Sequence, residues 1–578
     1  MIDVSFRRIT LAVIILAGII LYSNTLNYPQ FLFDGNMFLL NNPLFKDLDY
    51  YARLFDINDI SSLDEQFGLS PDVTTNFMMR PVAYITFSFN YLISGFNPAA
   101  FRSVNITIHI LNSLLVFACI ELFLNVTQER TFLSRFSNRF IPASSAFIFL
   151  LHPMQTESVT YITQRFTSLA ALFYLTTIWL YLIWTKQERS GTKRNYLRWI
   201  SVAMLLLGML ARESLFTAPF LLVLLELTVL GNNLKTALRR TAPHLMLLPV
   251  IPVMVIMISA AQYNTAPSLH EAINVVNYVD FPISHYALTQ LVMVVSYIRL
   301  YLLPYGQNID PNPPLYTLPY QWPVIISALI IISMFVGAFL LYRKNRVDIR
   351  RVLVFVGVCW YFLALTVSSS FIPLPDLMAE HRAYFSSIGL IMALISLLDL
   401  LRTALGEKKR IGGMFVAGIT VWCAVLIVLT YNRNTVWRSS LDLWSDAVRK
   451  SPDKDRPWYN LGLAYKTAGR SSEAVKCFRK AIELNPEWGK AYESLAVMLL
   501  HLKQFQEAVK VSIRGIEADP ANPVLYNNLG IAYAEMDQDD AARQAFSTAI
   551  ALRPGYENAM LNLDRLESFV ETTAGRRR

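Results

Sequence analysis

The sequence predicts an all-α protein in two parts, a polytopic membrane domain of about 11 helical spans followed by an α-solenoid. Three observations carry that prediction. The chain is 54% hydrophobic and only 16% charged, where a soluble domain carries about 25% charged residues. Its mean hydropathy of +0.38 is concentrated in apolar runs, several of which reach the roughly 20 residues a helix needs to cross a bilayer. From about residue 434 the composition turns charged and helical, and a repeat begins. The 27 prolines exclude one bundle of unbroken helices. The 51 Lys+Arg exceed the 42 Asp+Glu by nine, but most of that excess lies in short loops between apolar runs, where it reports membrane orientation and not nucleic-acid binding. Cys119, Cys359 and Cys423 lie in apolar runs and Cys477 stands alone in the repeat, so no disulfide framework is present.

In chain order the apolar segments are 9–23, 103–124, 139–151, 159–184, 196–211, 214–230, 243–261, 322–342, 352–369, 385–401 and 413–431. The segment 286–304 is a twelfth candidate. The connections 130–139, 186–198, 235–240, 343–351 and 402–410 hold three, five, three, five and four Lys/Arg, and Arg7 and Arg8 precede the first run. Positive charge collects in cytoplasmic loops. All of these share one side if the N-terminus is cytoplasmic and 286–304 is an interfacial or re-entrant helix. Were 286–304 to cross, 305–321, which has no Lys or Arg, would be cytoplasmic. The first run is read as a retained span, because Ser-Asn-Thr-Leu-Asn-Tyr follows it without a small-x-small cleavage site. An odd span count places the long loop 24–102, the turn 152–158, Arg212-Glu213, the stretch 262–321, the loop 370–384 and the tail on the exported face.

The tail repeats every 34 residues: Pro452, Pro486, Pro520 and Pro554 mark the period. The unit from 455 shows Trp458, Leu461, Gly462, Tyr465, Ala474, Phe478, Ala481 and Pro486. The unit from 523 shows Tyr526, Leu529, Gly530, Tyr533, Ala542, Phe546, Ala549 and Pro554. This spacing resembles the tetratricopeptide repeat, in which small residues let two helices cross closely. The middle unit keeps Tyr492, Leu495, Ala508 and Pro520 but has Ala496, Leu499, Ser512 and Gly515 elsewhere. The expected organisation is a membrane domain over 1–432, a linker and half-repeat with Trp444 and Ala447 over 433–454, three repeats and a capping helix over 455–570, and a basic tail over 571–578. The groove of the repeats, 455–554, would hold an extended polypeptide.

Polar residues that interrupt apolar surroundings mark the candidate site. In FLFDGNMFLLNNP, Asp34 lies just outside the first span among apolar neighbours, an environment that raises a carboxyl pKa and suits a general base. HPMQTES starts with His152, and Glu157, Tyr161 and Arg165 follow four apart, so one helix would present them on one face. Asn105, His109 and Asn112 form a stripe on the second span, for which packing hydrogen bonds are the expected role. The loop FIPLPDLMAEHRAYFSSIG crowds Asp376, Glu380, His381, Arg382 and Tyr384 between two spans, a costly arrangement unless the charges are paired or used on a ligand. Arg382 has the planar fork suited to a phosphate, and Arg299, ending SYIRLYLLP, is the second candidate. His152, Glu157 and His381 lack metal-ligand spacing, so no metal site is expected; the sequence does not specify whether a divalent ion assists.

Together with RPVAYITFSFNYLISGFNPAAFRSVNITIHILN, LARESLFTAPFLL, YIRLYLLPYGQNIDPNPP and the repeats, these stretches resemble the transmembrane and tetratricopeptide-repeat O-mannosyltransferase family and its bacterial relatives, in the C-type glycosyltransferase superfamily. HP-x-Q-TE and D-x-M-x-EHR-x-Y are the most specific parts. The resemblance implies a membrane glycosyltransferase that takes a sugar from a polyprenyl-phosphate carrier and places it on an exported acceptor, with Asp34 as the base of an inverting displacement. Arg382 or Arg299 would stabilise the departing lipid phosphate, and Glu157, Arg165, His152, Glu380 and His381 would shape the sugar and phosphate pocket. The family commonly has a second acidic residue where this chain has Gly35, and Lys-Glu where it has Arg212-Glu213. Three repeats imply a bacterial inner-membrane protein with periplasmic repeats, an undecaprenyl-phosphate sugar donor, no required cofactor and an exported protein acceptor. The alternative is a non-enzymatic scaffold recruiting exported proteins through its repeats; a transporter is a third reading, disfavoured by the lack of repeated halves.

Overall fold

The computed structural model describes residues 4–33, 35–52, 68–126, 133–191, 194–263, 281–369, 373–406 and 408–576. Every regular element among them is a helix. The chain forms two compact units, Met1–Ile309 with Pro313–Ser439, and Asp310–Asn312 with Ser440–Arg578.

The first unit is that of a multi-pass membrane protein. Among the described residues, seven of its helices are long and apolar enough to cross a membrane: Val4–Asn27, Pro98–Val126, Ile162–Arg189, Leu234–Ala260, Trp322–Lys344, Ser386–Ala404 and Lys409–Thr435. The four other expected spans form shorter helices. Arg135–Leu151 and Ile349–Leu365 have 17 residues each, Tyr196–Met209 has 14 and Ala218–Thr228 has 11. At 1.5 Å per residue, 17 residues cover about 25 Å, short of the roughly 30 Å hydrocarbon thickness. The apolar run from 196 stops where Arg212-Glu213 enters, and the chain resumes there as a 3-10 turn, Glu213–Thr217. Helix Ile283–Leu302, expected at the interface, is not one of the seven.

Two glycines fix a close helix crossing in this unit. A Cβ on Gly357 would lie 2.4 Å from the Gly389 carbonyl oxygen, and one on Gly389 would lie 2.6 Å from that of Gly357. Helices Ile349–Leu365 and Ser386–Ala404 therefore meet backbone to backbone, the packing that small residues allow in lipid. The second of them emerges directly from the 380–385 turn, so this crossing anchors the turn.

The polar stripe on helix Pro98–Val126 works as packing. Asn105 donates to the carbonyls of Val159 and Ile162, both at 3.2 Å. His109 bonds the Tyr384 hydroxyl at 2.7 Å and the Leu150 carbonyl at 3.1 Å. Asn112 donates to Ser168 O at 2.8 Å and to the Tyr384 hydroxyl at 3.2 Å. One helix thus pins both chain breaks that frame the site.

The second unit is a stack of helix pairs: Asp455–Thr467 with Ser471–Leu484, Gly489–His501 with Phe505–Ala518, and Pro523–Ala534 with Asp539–Leu552. Helix Ser440–Lys450, with Trp444 and Ala447 buried, precedes them. Helix Glu557–Arg576 follows and runs on through most of the expected tail. A Cβ at Gly462 would lie 2.6 Å from the Phe478 ring, and one at Gly530 would lie 2.5 Å from the Phe546 ring. Within this unit the Asp310 carboxylate accepts from Lys454 and, at 2.6 Å, from the Arg456 Nε.

Candidate active site

The site is assembled from chain breaks at helix ends. The expected continuous helix through Glu157, Tyr161 and Arg165 is interrupted: Thr156–Thr160 is one helical turn, Tyr161 is extended, Ile162–Gln164 is a 3-10 turn, and a new helix starts at Arg165. The Asn105 amide captures two carbonyls that a continuous helix would have bonded to its own N–H groups. Glu157, Tyr161 and Arg165 consequently do not share a helical face.

Glu157 is almost fully buried and spends both oxygens on one residue. Its Oε1 lies 2.6 Å from His381 Nδ1, and its Oε2 accepts from the His381 backbone N–H at 3.1 Å. The two positions are 224 residues apart. Burial raises the Glu157 pKa to about 7, against the opposing pull of Arg433 and the His381 N–H. Burial, reinforced by Arg212 and Arg382, pushes His381 well below its ordinary value. Burial therefore favours the neutral imidazole and pushes the Glu157 carboxyl toward its protonated form. His381 Nε2 has no hydrogen-bond partner among the described residues.

Glu380 points the other way. It is buried, with Oε1 accepting from the Asn308 N–H at 2.6 Å, Oε2 accepting from the Gln307 amide at 3.1 Å, and Arg433 at 3.9 Å. The whole turn is held by one face of helix Ile283–Leu302. Gln290 donates to Leu377 O at 2.9 Å, Tyr297 to Ala379 O at 3.0 Å and Tyr301 to Ala383 O at 3.2 Å. Residues 290, 297 and 301 fall on one stripe of a 3.6-residue helix. Arg299 lies on the opposite, exposed side and donates to Tyr305 O at 3.3 Å. The second choice for the phosphate from the sequence thus lies on the side of the helix away from the residues that hold the Arg382 turn. Arg382 itself is buried beside Tyr286 and the Ser368 carbonyl.

Two other sequence candidates are engaged with the fold. Arg165 donates to Asn105 Oδ1 at 2.7 Å, Asn90 Oδ1 at 2.8 Å, Phe101 O at 2.9 Å and Thr86 O at 3.1 Å. His152 accepts from the Met154 N–H at 3.2 Å through Nδ1, so its Nε2 donates to Tyr301 O at 3.0 Å. Burial lowers its pKa to about 4. Neither residue has a free polar group to offer a ligand, and both are anchors of the chain breaks.

Asp34 lies outside the described residues. Its predecessor Phe33 has φ +54, in the left-handed region that a bulky residue rarely occupies. The Phe33 ring packs against Tyr161 at 6.0 Å, and Tyr161 stacks on Trp437 at 5.3 Å. The candidate base therefore follows a residue that touches the same Tyr161 break.

Sequence reasoning missed Arg80, Arg433, Gln307, Asn308, Tyr286, Tyr297 and Tyr301. Arg80 grips Glu213 with two nitrogens at 3.2 and 3.4 Å. Burial opposes ionisation of Glu213, but Arg80 and Arg212 outweigh it and hold the carboxyl down at about 2. The Tyr297–Tyr301 spacing and the polar Arg433-Asn434 at the end of the last span were the available signals. Among the described residues no group of three His, Cys, Asp or Glu is arranged to hold a metal.

Residues 456–487 and 514–544 match models of the tetratricopeptide repeat. Protein O-mannosyl-transferase TMTC3 of Mus musculus is 22% identical over 98% of this chain and 62% of its own length. The chain is a relative of these transferases. TMTC1 of Homo sapiens is 24% identical over 74% of this chain and 50% of its own, and F38B6.6 of Caenorhabditis elegans is 24% identical over 83% and 63%. The chain thus spans about half to five-eighths of the length of these curated relatives. The similarity covers the membrane unit as well as the repeats, as the sequence motifs led one to expect.

Proposed function

We propose that the chain is a membrane glycosyltransferase of the C type that moves a sugar from a polyprenyl-phosphate carrier to hydroxyl groups of an exported protein. The single observation that carries this reading is the Glu157–His381 pair, a buried carboxyl and a neutral imidazole brought together from distant segments. Its support is the likeness to relatives named protein O-mannosyl-transferases over most of the chain. Asp34 takes the acceptor hydroxyl proton as that oxygen attacks the anomeric carbon, and the bond to the carrier phosphate breaks with inversion. Arg382 stabilises the charge that develops on the departing phosphate. Glu157 orients the His381 ring, and His381 Nε2 hydrogen-bonds sugar or phosphate. Glu380, bound to Gln307 and Asn308, fixes the turn that carries both residues. The repeats hold the acceptor on the exported side of a bacterial inner membrane.

Intact-mass spectrometry of exported proteins from wild-type, deletion and Asp34→Asn cells tests this reading. A hexose-sized mass lost in both the deletion and Asp34→Asn is the expected result. Unchanged masses in all three would remove the transferase reading.

A further inference from the structure

We infer that Asn434, at the C-terminal end of the last span, is a positioning residue of the transferase. It fixes the end of the first helix, from which the chain runs on to Asp34, against the break that carries Glu157. This deepens the transferase reading and rests on it.

Helix Lys409–Thr435 exposes most of its length and buries Gly412, Leu426, Thr430, Arg433 and Asn434. Three of these are polar, and all three lie near its C-terminal end. A helix that faces lipid gains nothing by burying polar groups unless they are bonded, so their partners say what this end holds. Thr430, Arg433, Asn434 and Trp437 are spaced three and four apart and share one face. Trp437 follows the helix on one further turn, its N–H donating to Asn434 O at 3.0 Å.

Each of the four reaches a chain break that frames the site. Thr430 donates at 2.6 Å to the carbonyl of Leu151, the last residue of its helix before His152. Asn434 Nδ2 donates at 3.4 Å to the carbonyl of Leu21, in the last turn of helix Val4–Tyr22. Both carbonyls belong to helix ends, where an α-helix leaves them without an intrahelical partner. Thr160, which ends the turn carrying Glu157, donates to Asn434 Oδ1 at 2.9 Å. Arg433 lies 3.9 Å from Glu380, and Trp437 stacks on Tyr161, which Phe33 also touches.

Asn434 alone joins two of these breaks through one side chain. A carbonyl can only accept, so the amide nitrogen faces Leu21 and the oxygen faces Thr160. The amide is fully buried, so water does not replace either bond. It does not touch Glu157, whose oxygens go to His381. Its loss leaves that pair in place and frees the first helix end to shift against it. A misplacement of about 1 Å in a reacting group can cost about 100-fold in rate.

The test uses full-length protein in detergent, farnesyl phosphate mannose as donor and, as acceptor, an exported protein found by the intact-mass experiment. Farnesyl phosphate binding is read separately. Asn434→Leu keeps the branched shape and removes both bonds, and Thr160→Val removes one. Each is expected to lower kcat about tenfold or more, with donor KM and farnesyl phosphate affinity within about threefold. Thr160→Ser keeps the hydroxyl and should return most of the rate. Thr435→Ala, which removes a hydroxyl bonded within its own helix to Asn432 O at 2.8 Å, should match the wild type. The double variant Asn434→Leu/Thr160→Val should be no slower than Asn434→Leu. Hydrogen exchange read by mass spectrometry needs no transfer: peptides over 19–33 and 156–165 should both exchange faster in Asn434→Leu, and those over 349–365 should not. Should Asn434→Leu fail to fold, Thr160→Val reads the same link. Wild-type kcat in both variants, with transfer by the wild type intact, would sink the inference and leave the proposed function standing. Parallel losses of kcat and farnesyl phosphate affinity, with faster exchange at 349–365 too, would reduce Asn434 to a support of the whole fold and overturn the positioning role. No transfer by the wild type, with the paired exchange as expected, would remove the function and keep Asn434 as the link between the two segments.

Discussion

The membrane unit and the repeat unit are both helical, yet they are put together by opposite means. In the repeats, the glycine–ring contacts join residues a few turns apart in sequence: Gly462 meets Phe478 and Gly530 meets Phe546, 16 positions on. In the membrane unit the decisive contacts are remote. Glu157 meets His381 across 224 residues, and Thr160 donates to Asn434 across 274. A unit built from neighbours can be read from its period and can tolerate local change. A unit built from remote polar pairs holds its chemistry only when the whole unit is folded.

That contrast can be broken first at its strongest point. Gly357→Ala or Gly389→Ala sets a methyl group against opposing backbone, which cannot swing aside as a side chain can. Destabilisation of about 3 kcal/mol or more is expected, seen as lost yield of monodisperse protein and lost donor binding. Gly337 and Gly418 have open space at the same position, so alanine there should be neutral or stabilising by up to about 1 kcal/mol. Equal losses at all four positions would show that the crossing is not special.

The repeats offer a gentler version. The middle unit has Ala496 where the others have Gly462 and Gly530, and Ser512 where they have Phe478 and Phe546. Where the ring is absent, the facing residue can carry a methyl group. Ser512→Phe alone should therefore destabilise the array by about 1–3 kcal/mol, and Ala496→Gly should rescue it in the double variant. Thermal melting of the full chain, followed by near-ultraviolet circular dichroism, reads both. Additive losses in the double variant would mean that positions 496 and 512 do not face each other.

The smallest expected effect is on pH dependence. With Glu157 ionised, His381 Nδ1–H donates to it and Nε2 is an acceptor. With Glu157 protonated, its O–H donates to Nδ1 and Nε2–H becomes a donor. The Glu157 pKa is raised to about 7, so the donor form gains as pH falls through that value. Phosphate binding should tighten by about two- to tenfold from pH 8 to pH 6, and Glu157→Gln should flatten the curve. Asp376, Arg80, Arg212, Arg382 and Arg433 also act on this pair. A slope that persists in Glu157→Gln would place the titration elsewhere.

How much of this was legible follows from the same contrast. The repeat helices were readable because proline, glycine and aromatic residues recur at one spacing, and even the degenerate unit keeps it. In the membrane unit, Glu157, Glu380, His381 and Arg382 were readable as charges where charge is costly. The shared face expected for Glu157, Tyr161 and Arg165 failed because spacing alone cannot show that Asn105, on another helix, takes the carbonyls that would have continued the turn. Arg299 and Tyr297 are two residues apart, yet only the fold distinguishes the face that holds the 377–383 segment from the exposed one. Arg80 gave no local signal, since its partner Glu213 is 133 residues away.

The most direct test of the account is a double-mutant cycle on Glu157 and His381, read as sugar transfer and as farnesyl phosphate affinity. If the two residues act as one unit, Glu157→Gln combined with His381→Ala will be no worse than the more damaging single variant. If the two losses multiply, Glu157 and His381 act independently, and the site as described here is wrong.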